Sequence, residues 1–368
     1  MPISFPAPQH VQELLTDGFF AALRRDVAVA LLVGNQPTVR YSTSKHGYMV
    51  ELQGNGNQIQ LPAVVVGQLG ADHVTVTWEP ILDQYPFLGT VLTDEILQAV
   101  RTCYRGALPF LLPDNIGGAT ILMATPDQDA TALPSLAETL LRGLSRIPDH
   151  YNLHRALVAF AGIEAHPIQL TDSAVVFADS CQVDLARRQL VSDMSLAEIA
   201  ADAFYLGLEH QLFFQQQFRQ PRIELSQDHQ QAKIHVGEQS FVARACVVGI
   251  IADGTFTFAY HLSPHLSLLR EFAVTHGIPE LFSSLSIQRA QQLGVEHCAK
   301  RILKMWTHAF VPLTENTSAL VLIDANPLHL PSVTPEIRQY VLHQPVPPLL
   351  DQARAAAAYT QLRPVASE

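Results

Sequence analysis

The sequence predicts an α+β protein built from two tandem, divergent copies of one module, at residues 1–193 and 194–368. Each copy is expected to hold an N-terminal helix, an antiparallel β-meander and further helices packed on the sheet. One segment recurs at a constant offset, later elements recur in the same order, and 48% of the residues are apolar. Two modules also suit 368 residues, because one domain usually holds about 100–200.

An apolar helix is expected to open each copy. In the first copy it runs from Val11 to Leu32, with Gly18 as a candidate break, and in the second from Leu196 to Phe218. Ser195 and Glu198 stand at capping-box spacing, in which each side chain bonds to the backbone of the other residue. This pair predicts where the second helix starts.

A three-stranded meander is expected to follow each helix. The segment from Val65 to Trp78 matches that from Val247 to Tyr260 without a gap, at an offset of 182 residues, as from Gly67 to Gly249. Both segments end in alternating apolar positions, which indicate a half-buried strand. The match therefore predicts equivalent third strands, Val74–Trp78 and Phe256–Tyr260.

The two earlier strands of each meander keep this offset. It carries Leu52 onto Ile234 and Ile59 onto Phe241. Turn-forming residues separate the strands in both copies: Gly54-Asn55-Gly56-Asn57 in the first and Gly237-Glu238 in the second. Such turns between alternating segments predict β-hairpins.

Downstream, the register shifts but the order of elements persists. The corresponding pairs are Pro86-Phe87-Leu88 and Pro279-Glu280-Leu281, helices Asp94 to Leu108 and Ala290 to His308, Phe110 and Phe310, strands Thr120–Met123 and Leu320–Ile323, Leu133-Pro134-Ser135 and Leu330-Pro331-Ser332, and Arg155-Ala156 and Arg354-Ala355. The strands are matched at an offset of 200 residues, as from Phe110 to Phe310. The agreement in order favours a duplication.

The copies are expected to differ at two places. The first continues into a hairpin, Ala174–Phe177 and Cys181–Leu185, around Ala178-Asp179-Ser180. The second ends in a tail, Arg363 to Glu368, and has an extra helix from Ser263 to His276.

The second copy resembles a bacterial domain family of unknown function, family 6882. Members carry a W-x-W-x-W strand and then a helix that ends in a turn like H-G-x-P-E-L. Here the strand is Phe256-Thr257-Phe258-Ala259-Tyr260 and the turn is His276-Gly277-Ile278-Pro279-Glu280-Leu281. Other aromatic residues replace the tryptophans, and His261-Leu262 replaces the usual small-residue–Asn pair. The resemblance, best over residues 196–345, implies a fold and two divergent tandem copies, but no activity.

Charge limits the classes of partner. The formal net charge is −11, with 34 acidic against 23 basic residues and no basic cluster. Nucleic acid is therefore not expected as a partner, because phosphate binding depends on clustered basic groups. The acidic balance serves either solubility alone or the attraction of a basic protein partner.

The cysteines and the N-terminus predict a soluble, cytoplasmic protein. Cys103, Cys181, Cys246 and Cys298 are dispersed and form neither a disulfide framework nor a zinc knuckle. The start, Met1 to Pro6, lacks a signal-peptide pattern, and the apolar run Val27–Val33 is too short to span a bilayer. No membrane association is expected.

Candidate metal and phosphate sites are weak. His261 and His265 would share one face of a helix, but Pro264 lies between them and no further ligand follows at a suitable spacing. His150 and His154 lie beside Asp149, which is interpreted as a helix cap. Gly54-Asn55-Gly56 and Asp114-Asn115-Ile116-Gly117-Gly118 are interpreted as turns rather than phosphate loops.

The aromatic residues Phe256, Phe258 and Tyr260 are interpreted as core, with a stacking platform for bases or sugars as the alternative. No nucleophile motif is recognisable. The sequence therefore assigns no catalytic, cofactor-binding or metal residue and no cofactor.

A non-catalytic binding protein is the preferred functional interpretation, because two diverged copies provide a large asymmetric surface. An immunity protein or an adaptor that binds a protein partner would suit it. An enzyme of unrecognised type and a structural or assembly component are the alternatives. A pocket with converging titratable residues would favour the enzyme.

Overall fold

A computed structural model of the chain describes residues 6–45, 47–126, 133–178 and 181–364. Its contacts divide the chain into two units, Met1–Val191 and Ser192–Glu368. The expected boundary between domains, after residue 193, stays a prediction. Both units combine helices with antiparallel strands, so the α+β class and the two-module architecture are confirmed.

The first unit opens with a long helix and a run of strands. Its elements are α1 (Val11–Val33), β1 (Thr38–Ser44), β2 (Gly47–Gly54), β3 (Asn57–Leu69), β4 (Val76–Trp78), α2 (Asp94–Cys103), β5 (Leu108–Pro113), β6 (Ala119–Ala124), α3 (Leu136–Leu144), α4 (Leu153–Glu164), β7 (Ile168–Leu170), β8 (Ala174–Phe177), β9 (Gln182–Asp184) and β10 (Gln189–Leu190). Its main sheet has the order β1-β2-β3-β6-β5, and β4 pairs with the end of β3.

The second unit repeats this order. Its elements are α5 (Leu196–Gln217), β11 (Arg222–Leu225), β12 (Gln231–Val236), β13 (Gln239–Ala252), β14 (Thr255–Phe258), α6 (Leu266–His276), β15 (Leu285–Ser286), α7 (Ile287–Gln292), α8 (Val295–Leu303), β16 (Thr307–Pro312), β17 (Thr317–Asp324), α9 (Pro335–Leu342) and α10 (Gln352–Leu362). β13 pairs with β12, β14 and β17, as β3 pairs with β2, β4 and β6. The helix in the stretch from Ser263 to His276 is confirmed as α6.

The long central strand of each unit carries the same irregularity. The register of β3 against β6 shifts between Val65 and Gly67, and that of β13 against β17 shifts between Val247 and Gly249. The two shifts lie at the predicted offset of 182 residues. Because a β-bulge bends one strand at one position, a shared bulge gives both sheets the same local bend.

The first hairpin of each meander follows the predicted register. Leu52 pairs with Ile59 and Ile234 with Phe241. In the first unit the turn residues Asn55 and Gly56 both have positive φ, 50° and 75°. A two-residue type I′ turn requires this backbone, which Asn and Gly adopt most readily.

The predicted register of the third strand is wrong by two residues. Gly67 pairs with Trp78 and Gly249 with Phe258, so Trp78 corresponds to Phe258 rather than to Tyr260. The hairpin before β4 is two residues longer than the one before β14. Since two residues are one full period of a strand, the side chains keep their faces.

The predicted offset of the last two strands is wrong by one residue. Gly67 faces Ile121 and Gly249 faces Leu320, an offset of 199 rather than 200. The residue that corresponds to Phe110 is therefore Ala309, which lies opposite Val321 on the neighbouring strand. A slip of one residue turns every side chain to the other face of the sheet.

Gly18 does not break the first helix, since α1 is continuous. A Cβ atom at Gly18 would lie 1.9 Å from Oγ1 of Thr102 on α2. The glycine therefore allows α1 and α2 to approach closely, at the usual cost in helix propensity.

The two helices before the last strands are shorter than predicted. α2 ends at Cys103, because Arg105 and Gly106 have positive φ. The stretch from Ala290 to His308 divides into α7 and α8 around Gly294, and α8 ends at Leu303, because Lys304 also has positive φ.

The hairpin predicted after the last helix of the first unit is confirmed as β8 and β9, within a four-stranded sheet of order β10-β9-β8-β7. Of its turn, Asp179 and Ser180 lie outside the described residues, as do residues 1–5 and the end of the tail, 365–368. No helix in the described ranges has the length and apolar character of a membrane span.

Candidate functional site

The opening helix of each unit forms equivalent contacts with the last helix of that unit. Arg155 on α4 donates to both carboxylate oxygens of Asp17 on α1, at 2.6 and 2.7 Å. Arg354 on α10 donates in the same way to Asp202 on α5, at 2.7 and 3.0 Å. The recurrence of Arg-Ala in the sequence thus reports one ion pair formed twice.

A buried cation forms a second equivalent contact. In the first unit Arg101 on α2 donates to the carbonyl of Ala22 at 3.3 Å and to the carboxylate of Asp26 at 2.5 Å. In the second unit Lys300 on α8 donates to the carbonyl of Gly207 at 3.3 Å. When Asp17 is aligned with Asp202, an offset of 185 residues, Gln211 occupies the position of Asp26. The anionic partner of the first cation is thus replaced by a neutral amide.

Lys300 is fully buried among other titratable groups of α8 and β16. Burial lowers its pKa from 10.5 to about 8, while the charge of Glu296 opposes the shift. Burial also lowers the pKa of His297 well below its usual value, and that of His308 to about 3, so both imidazoles are neutral at pH 7. A Cβ atom at Gly207 would lie 3.2 Å from Nζ of Lys300 and 3.1 Å from Nδ1 of His297. The glycine makes room for both groups.

Replacing Lys300 with Met is expected to increase the free energy of unfolding by about 3 kcal/mol at pH 7. The unfolded lysine keeps the higher pKa and binds the proton more tightly, and each tenfold difference in proton affinity destabilises the folded state by about 1.4 kcal/mol. This penalty is complete below pH 8 and disappears between pH 8 and 10.5, so the gain should shrink over that range. Denaturant unfolding at pH 7 and pH 10 measures it.

Arg101→Met is the matched control in the first unit. It should destabilise the fold, because it removes the hydrogen-bonded partner of Asp26. Lys300 is assigned as a buried cation whose charge destabilises the folded state. Equal losses of stability from Arg101→Met and Lys300→Met at pH 7 would contradict this assignment.

A cavity of about 420 Å³, here called the His210 cavity, lies beside this cluster. It is lined by Leu206, His210, Lys304, Trp306, Thr307, Ile323, Asp324, Leu328, His329, Leu330, Leu362 and Arg363. Burial lowers the pKa of His210 to about 4, so its ring is neutral at pH 7. The ring stacks on Trp306, with the ring centroids 6.2 Å apart. His329 contacts Asp324 at 3.3 Å. The cavity therefore brings a neutral histidine close to charged groups.

A second recess, here called the α5–α9 cleft, has a volume of about 310 Å³ and a mainly apolar lining. Its residues are Glu209, Leu212, Phe213, Gln216, Leu330, Pro331, Glu336, Ile337, Tyr340 and Val341. Tyr340 is 59% exposed and Ile337 38%. Exposed apolar side chains that gather at one place are typical of an interaction surface.

Neither of the two histidine pairs considered from the sequence lines these recesses. His261 is in the turn after β14 and His265 is the N-cap residue of α6, so the pair does not share a helix face. Within the described ranges, no group of three or more His, Cys, Asp or Glu residues could hold a metal ion. His150 packs edge-on against Tyr151, with the ring centroids 4.9 Å apart.

The interpretation of Asp149 as a helix cap is wrong. α4 begins at Leu153, and the side chain of Asn152 accepts the hydrogen bond from the Arg155 amide. Asp351 caps α10 in the same way, through the Arg354 amide. The cap is thus another repeated contact, and it lies next to the repeated arginine.

The interpretation as core is confirmed for Phe256 and Phe258, whereas Tyr260 is only half-buried. Phe256 and Phe258 are buried, and their rings meet edge to face at 5.0 Å. Tyr260 follows the end of β14, stacks on Phe258 at 5.9 Å and donates to the carbonyl of Leu281 at 2.7 Å. The rings therefore interact with one another and with the protein interior.

The glycine-rich segments are confirmed as turns. Gly54-Asn55-Gly56 connects β2 to β3. In the turn between β5 and β6, the Asp114 carboxylate accepts from the amides of Ile116 and Gly118, each at 2.8 Å.

All four cysteines carry free thiols, and burial raises the pKa of Cys103 to about 11, so this thiol is not activated.

Sequence reasoning missed Lys300 and His210. Arg101 and Lys300 stand at an offset of 199 residues, and the predicted offset of 200 separated them. At the correct offset, basic residues at equivalent positions of two apolar helices would have indicated a shared buried cation.

Comparison with known protein families finds a match in the second unit. The resemblance recognised in the second copy is confirmed for residues 197–326, whereas a second copy of that family in the first unit and a bacterial origin stay predictions. Neither curated proteins nor solved structures gave a significant match. Residues 197–326, from the start of α5 to just past the end of β17, match the family of unknown function DUF6882.

Proposed function

We propose that this chain is a non-catalytic binding protein that engages a protein partner through the α5–α9 cleft. The exposure of Tyr340 and Ile337 around an apolar recess of about 310 Å³ carries the proposal. Tyrosine is one of the residues that contribute most of the binding energy at protein interfaces, and burial of the neighbouring isoleucine would remove further apolar surface from water.

Charge indicates the chemistry of the partner. The formal net charge is −11, and the Thr334 hydroxyl lowers the pKa of Glu336 at the edge of the cleft, so this carboxylate is ionised at neutral pH. A partner segment with apolar side chains next to Lys or Arg fits this arrangement. Association should be faster at low salt, since long-range attraction between opposite charges is screened by ions.

Two narrower proposals follow from the diverged copies. The first is that the first unit is a divergent copy of the DUF6882 domain, which the strand registers shared by the two units support. The second is that the protein is a bacterial immunity protein or an adaptor of the cytoplasm. An immunity protein would be encoded beside the gene of the toxin that it blocks. The partner would then be that toxin.

Site-specific cross-linking tests this function. A photoreactive phenylalanine analogue replaces Tyr340 in the full chain, and the same analogue at Ile116, an exposed residue of the first unit, is the matched control. We expect one protein of the native host to cross-link at position 340 and not at 116, less at high salt and not in the Ile337→Asp variant. Identical products at both positions would refute the proposal.

An enzyme is the second candidate, because the His210 cavity brings His210, Asp324 and His329 together. Purified protein incubated with candidate metabolites decides between the two. The enzyme would be favoured if the protein converts one of these compounds, if His210→Gln abolishes this activity, and if Tyr340→Asp leaves it intact.

A further inference from the structure

One ion pair changes polarity between the two units. Arg24 on α1 contacts Glu164 on α4 at 2.6 Å, whereas Glu209 on α5 contacts Arg363, the C-cap residue of α10, at 2.9 Å. We call α1 and α5 the opening helices and α4 and α10 the closing helices, because they are the first and the last helix of each unit. Each closing helix packs against the opening helix of its own unit. The basic residue is on the opening helix in the first unit and at the C-terminal end of the closing helix in the second.

The register shows that these two pairs occupy the same position. Arg24 and Glu209 lie seven residues after Asp17 and Asp202, and Glu164 and Arg363 lie nine after Arg155 and Arg354. The rings between them also correspond: Phe20 meets Phe160 at 5.6 Å, and Tyr205 meets Tyr359 at 6.0 Å. The opening and closing helices of both units are thus docked alike.

Most of this contact would accept the closing helix of the other unit. The Asp17–Arg155 and Asp202–Arg354 pairs have the same polarity and geometry, and the aromatic contacts differ by one hydroxyl on each of the two rings. In a chain with two copies, a closing helix could therefore dock on the opening helix of the wrong unit. Exchange of equivalent elements is a common form of misassembly in repeated domains.

We propose that the reversed pair directs each closing helix to its own unit. With α10 on α1, Arg363 would face Arg24 and the neighbouring Arg25, and with α4 on α5, Glu164 would face Glu209. The Glu164 and Glu209 side chains are 3% and 6% exposed, so solvent would screen little of the repulsion. Like charges brought together in a contact cost free energy and so exclude a wrong partner, in addition to the attraction that selects the right one.

The test gives both units the same polarity in the full chain. Glu209→Arg with Arg363→Glu keeps an ion pair in the second unit but makes α10 acceptable to α1. A photoreactive phenylalanine analogue at Leu362, which lines the His210 cavity together with Leu206 of α5, reports where α10 docks after refolding from guanidinium. The unaltered chain should cross-link to α5, whereas the double variant should also yield α1 products, at least tenfold above the unaltered chain.

Two further variants complete the design. Arg24→Glu, Arg25→His and Glu164→Arg reach equal polarity from the first unit, and should also give α1 products if the double variant does not fold. Combining all five substitutions restores opposite polarities and should restore cross-linking to α5 alone. Cross-linking confined to α5 in both equal-polarity variants would overturn the proposal, as would α1 products that persist in the five-fold variant.

Discussion

Replacing Arg155 with Met is expected to lower the free energy of unfolding by about 3–5 kcal/mol, the usual cost of removing one partner of a buried ion pair. The Arg155 side chain is 7% exposed, and it donates two hydrogen bonds to the Asp17 carboxylate. Burial already raises the pKa of Asp17, and the Arg155 hydrogen bond and charge oppose this effect. Without the guanidinium, the carboxylate must be buried unpaired or take up a proton. Chemical denaturation at pH 7 measures the loss.

Arg354→Met is the matched control, because the same pair in the second unit is more exposed to water. Its arginine is 33% exposed, so the expected loss is about 1 kcal/mol, near the upper limit for exposed pairs. Adding Asp17→Asn to Arg155→Met should recover part of the larger loss, since the unpaired charge is then removed. Equal losses at Arg155 and Arg354 would show that burial does not set the contribution of this contact.

Replacing Phe258 with Ala is expected to lower the free energy of unfolding by about 3–5 kcal/mol, through lost burial and the cavity left behind. The ring is buried between Phe256 and Tyr260, with centroid distances of 5.0 and 5.9 Å. Thermal and denaturant unfolding of the full chain measures the effect.

Phe310→Ala provides the comparison for Phe258. Phe310 lies on β16 and is 54% exposed, so its truncation should cost less than about 1 kcal/mol. If Phe258→Ala were as mild as Phe310→Ala and weakened binding of a base or sugar, the aromatic residues would form a stacking platform instead of core.

The sequence predicted best the features that depend on neighbouring residues. The Ser195–Glu198 capping box, the Asn55-Gly56 turn and the alternating residues of β14 are local signals, and the structure contains all three. Each is set by backbone geometry within a few residues, which explains why the pattern alone sufficed.

The errors arose where position depends on contacts between distant residues. A gapless comparison could not detect the longer hairpin before β4, because alternation looks the same after a shift of two residues. Nor did it indicate why Gly18 lies inside a helix, since the reason is Thr102 on another helix. The buried Lys300 and the reversed Arg24–Glu164 and Glu209–Arg363 pairs emerged only from the correct three-dimensional register.

A crystal structure of the full chain tests the central claim, that both units are copies of one module with one register, most directly. Superposing β3 on β13 is expected to bring Gly67 onto Gly249, Trp78 onto Phe258 and Ile121 onto Leu320. Arg101 and Lys300 should then donate to the carbonyls of Ala22 and Gly207 at one common position. Strands that pair in different orders in the two units, or buried cations that point to unrelated places, would contradict it.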